Sequence, residues 1–160
     1  MRYLLQCLLV CVFSMCTVGQ DKPYDPSADA LAQINKAVAE AKRQNKHVLV
    51  QVGGNWCKWC LKLTGFISSH QRIDSLITAD YVLIKVNYSM ENKNPEAMEM
   101  LDFPQRFGFP VFVVLDSSGK RIHTQNTAYL EEDDGYSEKK ISEFLLSWNI
   151  QAVNPENYKP

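Results

Sequence analysis

Three short apolar runs constrain this chain more than anything else in it: Val48–Leu49–Val50–Gln51–Val52, Tyr81 to Val86 and Val111 to Leu115. Each is too short for an ordinary helix and is flanked by turn or polar residues, so each reads as a strand. Being apolar with little alternation, each is expected to be buried on both faces. Helical patterns lie between them. Leu31, Ile34, Val38 and Ala41 recur at helical spacing up to about Asn45, behind a start signal at Asp25–Pro26–Ser27. A second helix is expected from Cys57 to about Ser68, with Gly65 as a weak point inside it. Ile73, Leu76 and Ile77 mark a short helix over 70–79, and Asn94–Pro95–Glu96 opens another that ends near Asp102.

After the third apolar run, Asp116–Ser117–Ser118–Gly119 is a turn and Lys120 to Thr124 an alternating strand that returns from it. Residues 125–136 read as a polar loop, with Glu131 to Asp134 solvated. Ser137 is expected to cap a last helix whose Ile141, Phe144, Leu145 and Trp148 form a core-facing stripe. His70 and His123 are read as surface residues, and the tail from Gln151 as loose. The order α-β-α-(α)-β-α-β-β-α requires one α/β domain with a central sheet covered on both sides.

The first twenty residues are a different material. Arg2 supplies a positive start, Leu4 to Val18 is uncharged and mostly apolar, and Thr17 and Gly19 are small residues before a cut at Gln20. That is the layout of a secretory signal peptide. The apolar run of about 15 residues is short for a span of roughly 20. Cleavage is therefore expected over an uncleaved anchor or lipidation at Cys16, leaving no stable membrane insertion. The expected division is a signal peptide over 1–19, a lead-in over 20–27, one domain over 28–149 and a tail over 150–160. The protein is expected to be exported, periplasmic or otherwise extracytoplasmic. A formal net charge of −1, with Lys and Arg scattered among Asp and Glu, offers no basic stripe for nucleic acid.

Of five cysteines, Cys7, Cys11 and Cys16 fall in the expected signal, so the remainder of the chain keeps only Cys57 and Cys60. A lone C-x-x-C between a strand and a helix start has a physical consequence. Cys57 at a helix N-terminus meets unpaired N–H groups and the positive end of the macrodipole, which favour a thiolate. Lys58 adds a cation in the same sense. Cys60, one turn inside, can reach the first sulfur, so that Cys57 attacks a disulfide and Cys60 resolves the mixed disulfide. Half a zinc site is the alternative, but His47, His70 and His123 lie at no finger-like spacing from the pair, and a structural site needs four ligands. A purely structural disulfide would close too small a loop to stabilise much. No metal and no cofactor beyond a redox-active Cys57–Cys60 disulfide are expected.

Val48 to Cys60, ending Gly53–Gly54–Asn55–Trp56–Cys57–Lys58–Trp59–Cys60, resembles the strand and W-C-x-x-C active site of the thioredoxin superfamily. Gly108–Phe109–Pro110 before a buried strand resembles that family's G-x-P element, whose proline is cis. The Ser118–Gly119–Lys120 turn fits as well. The resemblance covers about residues 28–149 and is strongest to exported bacterial members, among them the C-terminal domain of the thiol:disulfide interchange (cytochrome c biogenesis) protein. It implies a thioredoxin-like α/β/α sandwich with a central mixed sheet and an extra N-terminal helix. It also implies protein thiols and disulfides as partners, with a membrane electron donor as a further candidate, and reductase or isomerase chemistry ahead of oxidase. By the same resemblance Pro110 is cis and Phe109 stands beside the thiols, while Trp56 shields them and Trp59 adds an apolar rim. Two positions depart from the pattern. Gln51 occupies the place of the family's buried Asp, although Lys85 stands where a lysine is common, and Gly65 replaces a kink proline. Gln51 cannot ionise, which motivates as an alternative a binding or chaperone module with little turnover; a dedicated reductant of apocytochrome c thiols is a narrower form of the oxidoreductase reading.

Overall fold

The computed structural model describes residues 22–160; the expected signal peptide lies outside the described residues. Helix α1 (Ala30–Gln44) leads into β1 (His47–Gly53), followed by α2 (Lys58–Ser69), α3 (Gln71–Asp80) and β2 (Tyr81–Asn87). Then come α4 (Pro95–Met100), β3 (Val111–Leu115), β4 (Arg121–Asn126), the two-residue strands β5 (Glu131–Glu132) and β6 (Gly135–Tyr136), α5 (Glu138–Ser147) and α6 (Ile150–Val153). The main sheet has the order β2-β1-β3-β4, with β1 parallel to β2 and antiparallel to β3. This is the expected mixed sheet between two helical layers.

The central strands β1 and β3 are buried on both faces, their residues pointing alternately to either side, while the edge strands β2 and β4 are partly exposed. Val48, Val50 and Val52, with Val111, Val113 and Leu115, pack on Ile34, Ala37 and Ala41 of α1 and Met98 of α4. On the other face Leu49, Phe112 and Val114 meet Leu63 and Ile67 of α2, Ile73 of α3, and Phe144 and Leu145 of α5. Gln51 falls on this second face, two residues from Leu49, and is the polar residue within the apolar run 48–52 of β1.

Several boundaries differ from the sequence reading, each for a local reason. The cap of α1 is Asp29, whose carboxylate accepts the Ala32 N–H at 3.0 Å, because the Asp25 carboxylate is taken by the N–H and hydroxyl of Ser27. Ser137 holds the N-cap position of α5 but makes no side-chain cap bond. The segment 125–136 is not an open loop: a 3-10 turn (Thr127–Leu130) and the β5–β6 hairpin fold Leu130 and Tyr136 into the core. The last helix ends at Ser147, so Trp148 lies just beyond it and stacks on His123 at 4.0 Å, which draws that histidine off the open surface. The tail is ordered as α6 and a 3-10 turn over Pro155–Tyr158 rather than loose.

Helix α2 runs uninterrupted through Gly65, and a Cβ built at that exposed position meets nothing within 4 Å. Glycine there costs helix entropy without serving a close approach. Gly65→Ala is expected to stabilise the protein by about 0.5–1 kcal/mol, read as a rise in the urea midpoint at unchanged slope. A fall in the midpoint would show that the glycine has a use.

Candidate active site

The turn after β1 places Cys57 as the N-cap residue of α2, in extended backbone with φ −93° and ψ 106°. Its sulfur accepts the Cys60 N–H at 3.1 Å, and its carbonyl accepts the Leu61 N–H at 3.1 Å. An acceptor atom is thus held where a helix most favours negative charge. Cys60 sits one turn in, disulfide-bonded to Cys57 with their Cα atoms 5.2 Å apart. Cys57 is 6% exposed and Cys60 fully buried, so of the two only Cys57 reaches the surface. Lys58 is the exposed first residue of α2, directly after the sulfur-bearing cap.

The other expected residues lie around the pair. The Phe109–Pro110 peptide is cis. Phe109 packs against Cys57 and Cys60, and is itself held by Tyr88, stacked at 5.0 Å, and by Trp56, edge-on at 5.5 Å. Pro110 is buried, its carbonyl accepting the Thr127 hydroxyl at 2.5 Å. Trp56 stands 59% exposed, its indole N–H donated to the Tyr88 carbonyl at 2.8 Å. Trp59, expected as an apolar rim, packs against the cysteine cluster. It lies edge-on to Tyr136 at 5.6 Å, with the Lys62 ammonium 4.4 Å from its ring centre.

Gln51 is fully buried beneath the first turns of α2. Its amide nitrogen lies 2.6 Å from the Tyr24 hydroxyl, 3.2 Å from the Thr64 hydroxyl and 3.4 Å from the Cys60 carbonyl, while its oxygen has no hydrogen-bond partner. Lys85 pairs with Gln51 across β1 and β2, half-buried, and desolvation holds its ammonium below the usual lysine range.

Sequence reasoning missed Tyr24 and Asn55. Tyr24 has no exposed surface and forms one buried cluster with the two cysteines. Asn55, two residues before Cys57, accepts the Tyr24 N–H at 3.2 Å and donates to the Tyr24 carbonyl at 2.6 Å. The only sequence signal was a lone aromatic ring in a polar lead-in. Among the described residues, no three His, Cys, Asp or Glu side chains are grouped to hold a metal ion.

A buried dithiol on a helix N-terminus, faced by a cis-proline loop, defines a thioredoxin-type site. Residues 29–117 match the family model described as thioredoxin-like, and the chain belongs to that family. A disulphide isomerase from Xylella fastidiosa Temecula1 is 30% identical and superposes with a TM-score of 0.71, covering 81% of this chain and 98% of that one. The disulfide bond reductase DsbH of Chlamydia pneumoniae is 24% identical over 93 residues, which are 54% of this chain and 56% of that protein. The chain thus spans about half the length of that curated relative. The C-terminal domain of Neisseria meningitidis DsbD in its oxidised form, 18% identical, shares the fold with a TM-score of 0.51 over 73% of this chain and 94% of that one.

Proposed function

We propose that the protein is an extracytoplasmic thiol–disulfide oxidoreductase acting on protein disulfides, as reductase or isomerase. The observation that carries it is the Cys57 sulfur capping α2, with Cys60 bonded to it from one turn below. Cys57 is the nucleophile because it alone of the two reaches solvent; Cys60 resolves. Lys58 adds positive charge beside Cys57. Phe109 and cis-Pro110 form the wall against which an extended substrate chain lies, and Trp56 is its exposed apolar rim. The redox-active disulfide is itself the group that cycles. The names of the relatives, one a reductase and one an isomerase, support a reducing or reshuffling direction. Export rests on the signal-peptide layout of residues 1–19. Among the described residues no helix is long and apolar enough to cross a membrane. A membrane-bound electron donor suits a reductant working outside the cytoplasm.

The test is the reduction potential of the Cys57–Cys60 couple, measured by equilibration with glutathione. We expect a value toward the thioredoxin end of the scale, about −270 mV, and well below the strong oxidants near about −120 mV. A potential at the oxidising end would reassign the direction. An inert couple that exchanges with neither glutathione disulfide nor a protein disulfide would leave the alternative of a binding module, which the non-ionising Gln51 favours.

A further inference from the structure

The lead-in segment is built into the active site. Asn55 clamps both backbone groups of Tyr24, and the side chain of Asn92 reaches the carbonyls of Pro26 and Ala28 at 3.1 and 3.4 Å. The effect is to fix a phenol beside the less accessible sulfur. A Cβ built at Gly53 would lie 2.6 Å from Cys60 Sγ and 3.0 Å from Tyr24 Oη, so the two atoms border the same small space, open because residue 53 has no side chain. The Gln51 amide donates to Tyr24 Oη at 2.6 Å and so leaves the phenol hydrogen free to point elsewhere. The Thr64 hydroxyl is its partner in the oxidised protein, and Cys60 Sγ borders the same space.

In the disulfide the sulfur is a weak acceptor, and Thr64 wins. Once Cys60 is reduced and ionised the order reverses, because a hydrogen bond to a charged acceptor is roughly twice as strong as a neutral one. Burial pushes the Tyr24 phenol above its ordinary range, so it stays protonated and able to donate.

We propose that Tyr24 is a positioning residue for the resolving thiol: its O–H donates to the Cys60 thiolate and holds it ready to close the Cys57–Cys60 disulfide. The inference rests on the thiol–disulfide reading of the site. In the step it serves, the Cys60 thiolate attacks Cys57 Sγ of the mixed disulfide. The Sγ–Sγ bond forms, the bond from Cys57 to the substrate sulfur breaks, and the electron pair leaves on the substrate as its thiolate. The two cysteines are oxidised and the substrate disulfide is reduced. The proton of the Cys60 thiol has already gone to water, and the phenol keeps its own. The other titratable groups around the pair are Cys57, Lys85 opposite Gln51 on β2, and the Tyr136 phenol of β6.

Tyr24→Phe keeps the ring and removes the donor. Two readouts in the full chain test it: the pH dependence of Cys60 alkylation in a reduced Cys57→Ser background, resolved by peptide mass, and the rate at which a preformed Cys57–glutathione mixed disulfide releases glutathione. We expect the Cys60 midpoint to rise by about one pH unit and release at pH 7 to slow about tenfold. A merely structural tyrosine would lower the melting temperature and leave the Cys60 midpoint unchanged, and that result overturns the proposal. Should Tyr24→Phe fail to fold, Gln51→Met decides, since it keeps the phenol but removes the amide that aims it. The same rise is expected, and an unmoved midpoint overturns the proposal equally. Failure of the wild-type protein to exchange thiols while the midpoint still shifts would refute the oxidoreductase reading and leave the Tyr24–Cys60 contact standing.

Discussion

Cys57→Ser will leave the protein unable to start exchange with a disulfide substrate, whereas Cys60→Ser will react once and stop. The asymmetry comes from exposure and from the helix. Of the two only Cys57 reaches the surface, and its sulfur receives the Cys60 N–H at the first turn of α2. A helix N-terminus stabilises a partly buried anion by up to about 2 kcal/mol, and one pKa unit corresponds to about 1.4 kcal/mol. The Cys57 thiol is therefore expected to titrate below the free-cysteine range once the disulfide is reduced. Without Cys57 that low-pKa nucleophile is gone, and buried Cys60 cannot meet a protein disulfide. Without Cys60 the mixed disulfide on Cys57 has no internal attacker, and it should persist as an adduct one substrate heavier than the free chain. The check is turnover of insulin or glutathione disulfide, with mass analysis of the Cys60→Ser reaction under non-reducing conditions. Sustained turnover by Cys57→Ser, or a Cys60→Ser protein that accumulates no adduct, would remove the assigned roles.

What the sequence made legible, and what it hid, divides along the range of the interactions. The three apolar runs appear as β1, β2 and β3 at nearly the expected limits; the central β1 and β3 are buried on both faces as expected, whereas β2, at the sheet edge, is half-buried over residues 82–85. Cys57 and Cys60 were placed at a helix start by one strand end and one apolar pattern, both within a few residues. Tyr24 was invisible for the opposite reason. Its partners Gln51 and Asn55 are 27 and 31 residues away, and its neighbours Pro23 and Asp25 gave it the look of linker. The 125–136 segment misled in the same way: Leu130 and Tyr136 flank the polar stretch Glu131 to Gly135, with no period to betray that a hairpin of two-residue strands would carry them inward. At the start of α1 the sequence pointed to Asp25–Pro26–Ser27, but the Asp25 carboxylate is engaged by Ser27 and Asp29 caps the helix instead.

The second large effect is expected at Gly53, a residue that touches no substrate. As the last residue of β1 it lies directly beneath the couple, and its carbonyl accepts the Tyr88 N–H at 2.6 Å, so the backbone cannot simply back away. A methyl group there would stand 2.6 Å from Cys60 Sγ, 3.2 Å from Cys60 Cβ and 3.0 Å from Tyr24 Oη. Two of these three neighbours belong to a side chain pinned by its disulfide. Overpacking of this kind costs about 1–3 kcal/mol, so Gly53→Ala should melt several degrees below the parent. The penalty is not equal in the two redox states. On reduction the Cys60 sulfur is freed to turn off the methyl, relieving the tightest contact, whereas the oxidised protein keeps the clash in full. The variant's disulfide should therefore be easier to reduce. A differential of about 1.4 kcal/mol would raise the potential by about 30 mV. Thermal melts of the oxidised and reduced variant, beside its glutathione equilibrium, measure both consequences. Equal destabilisation of the two forms with an unmoved potential would mean that β1 shifts to admit the methyl, and that the space shared by Cys60 and Tyr24 is wider than the contacts at Gly53 indicate.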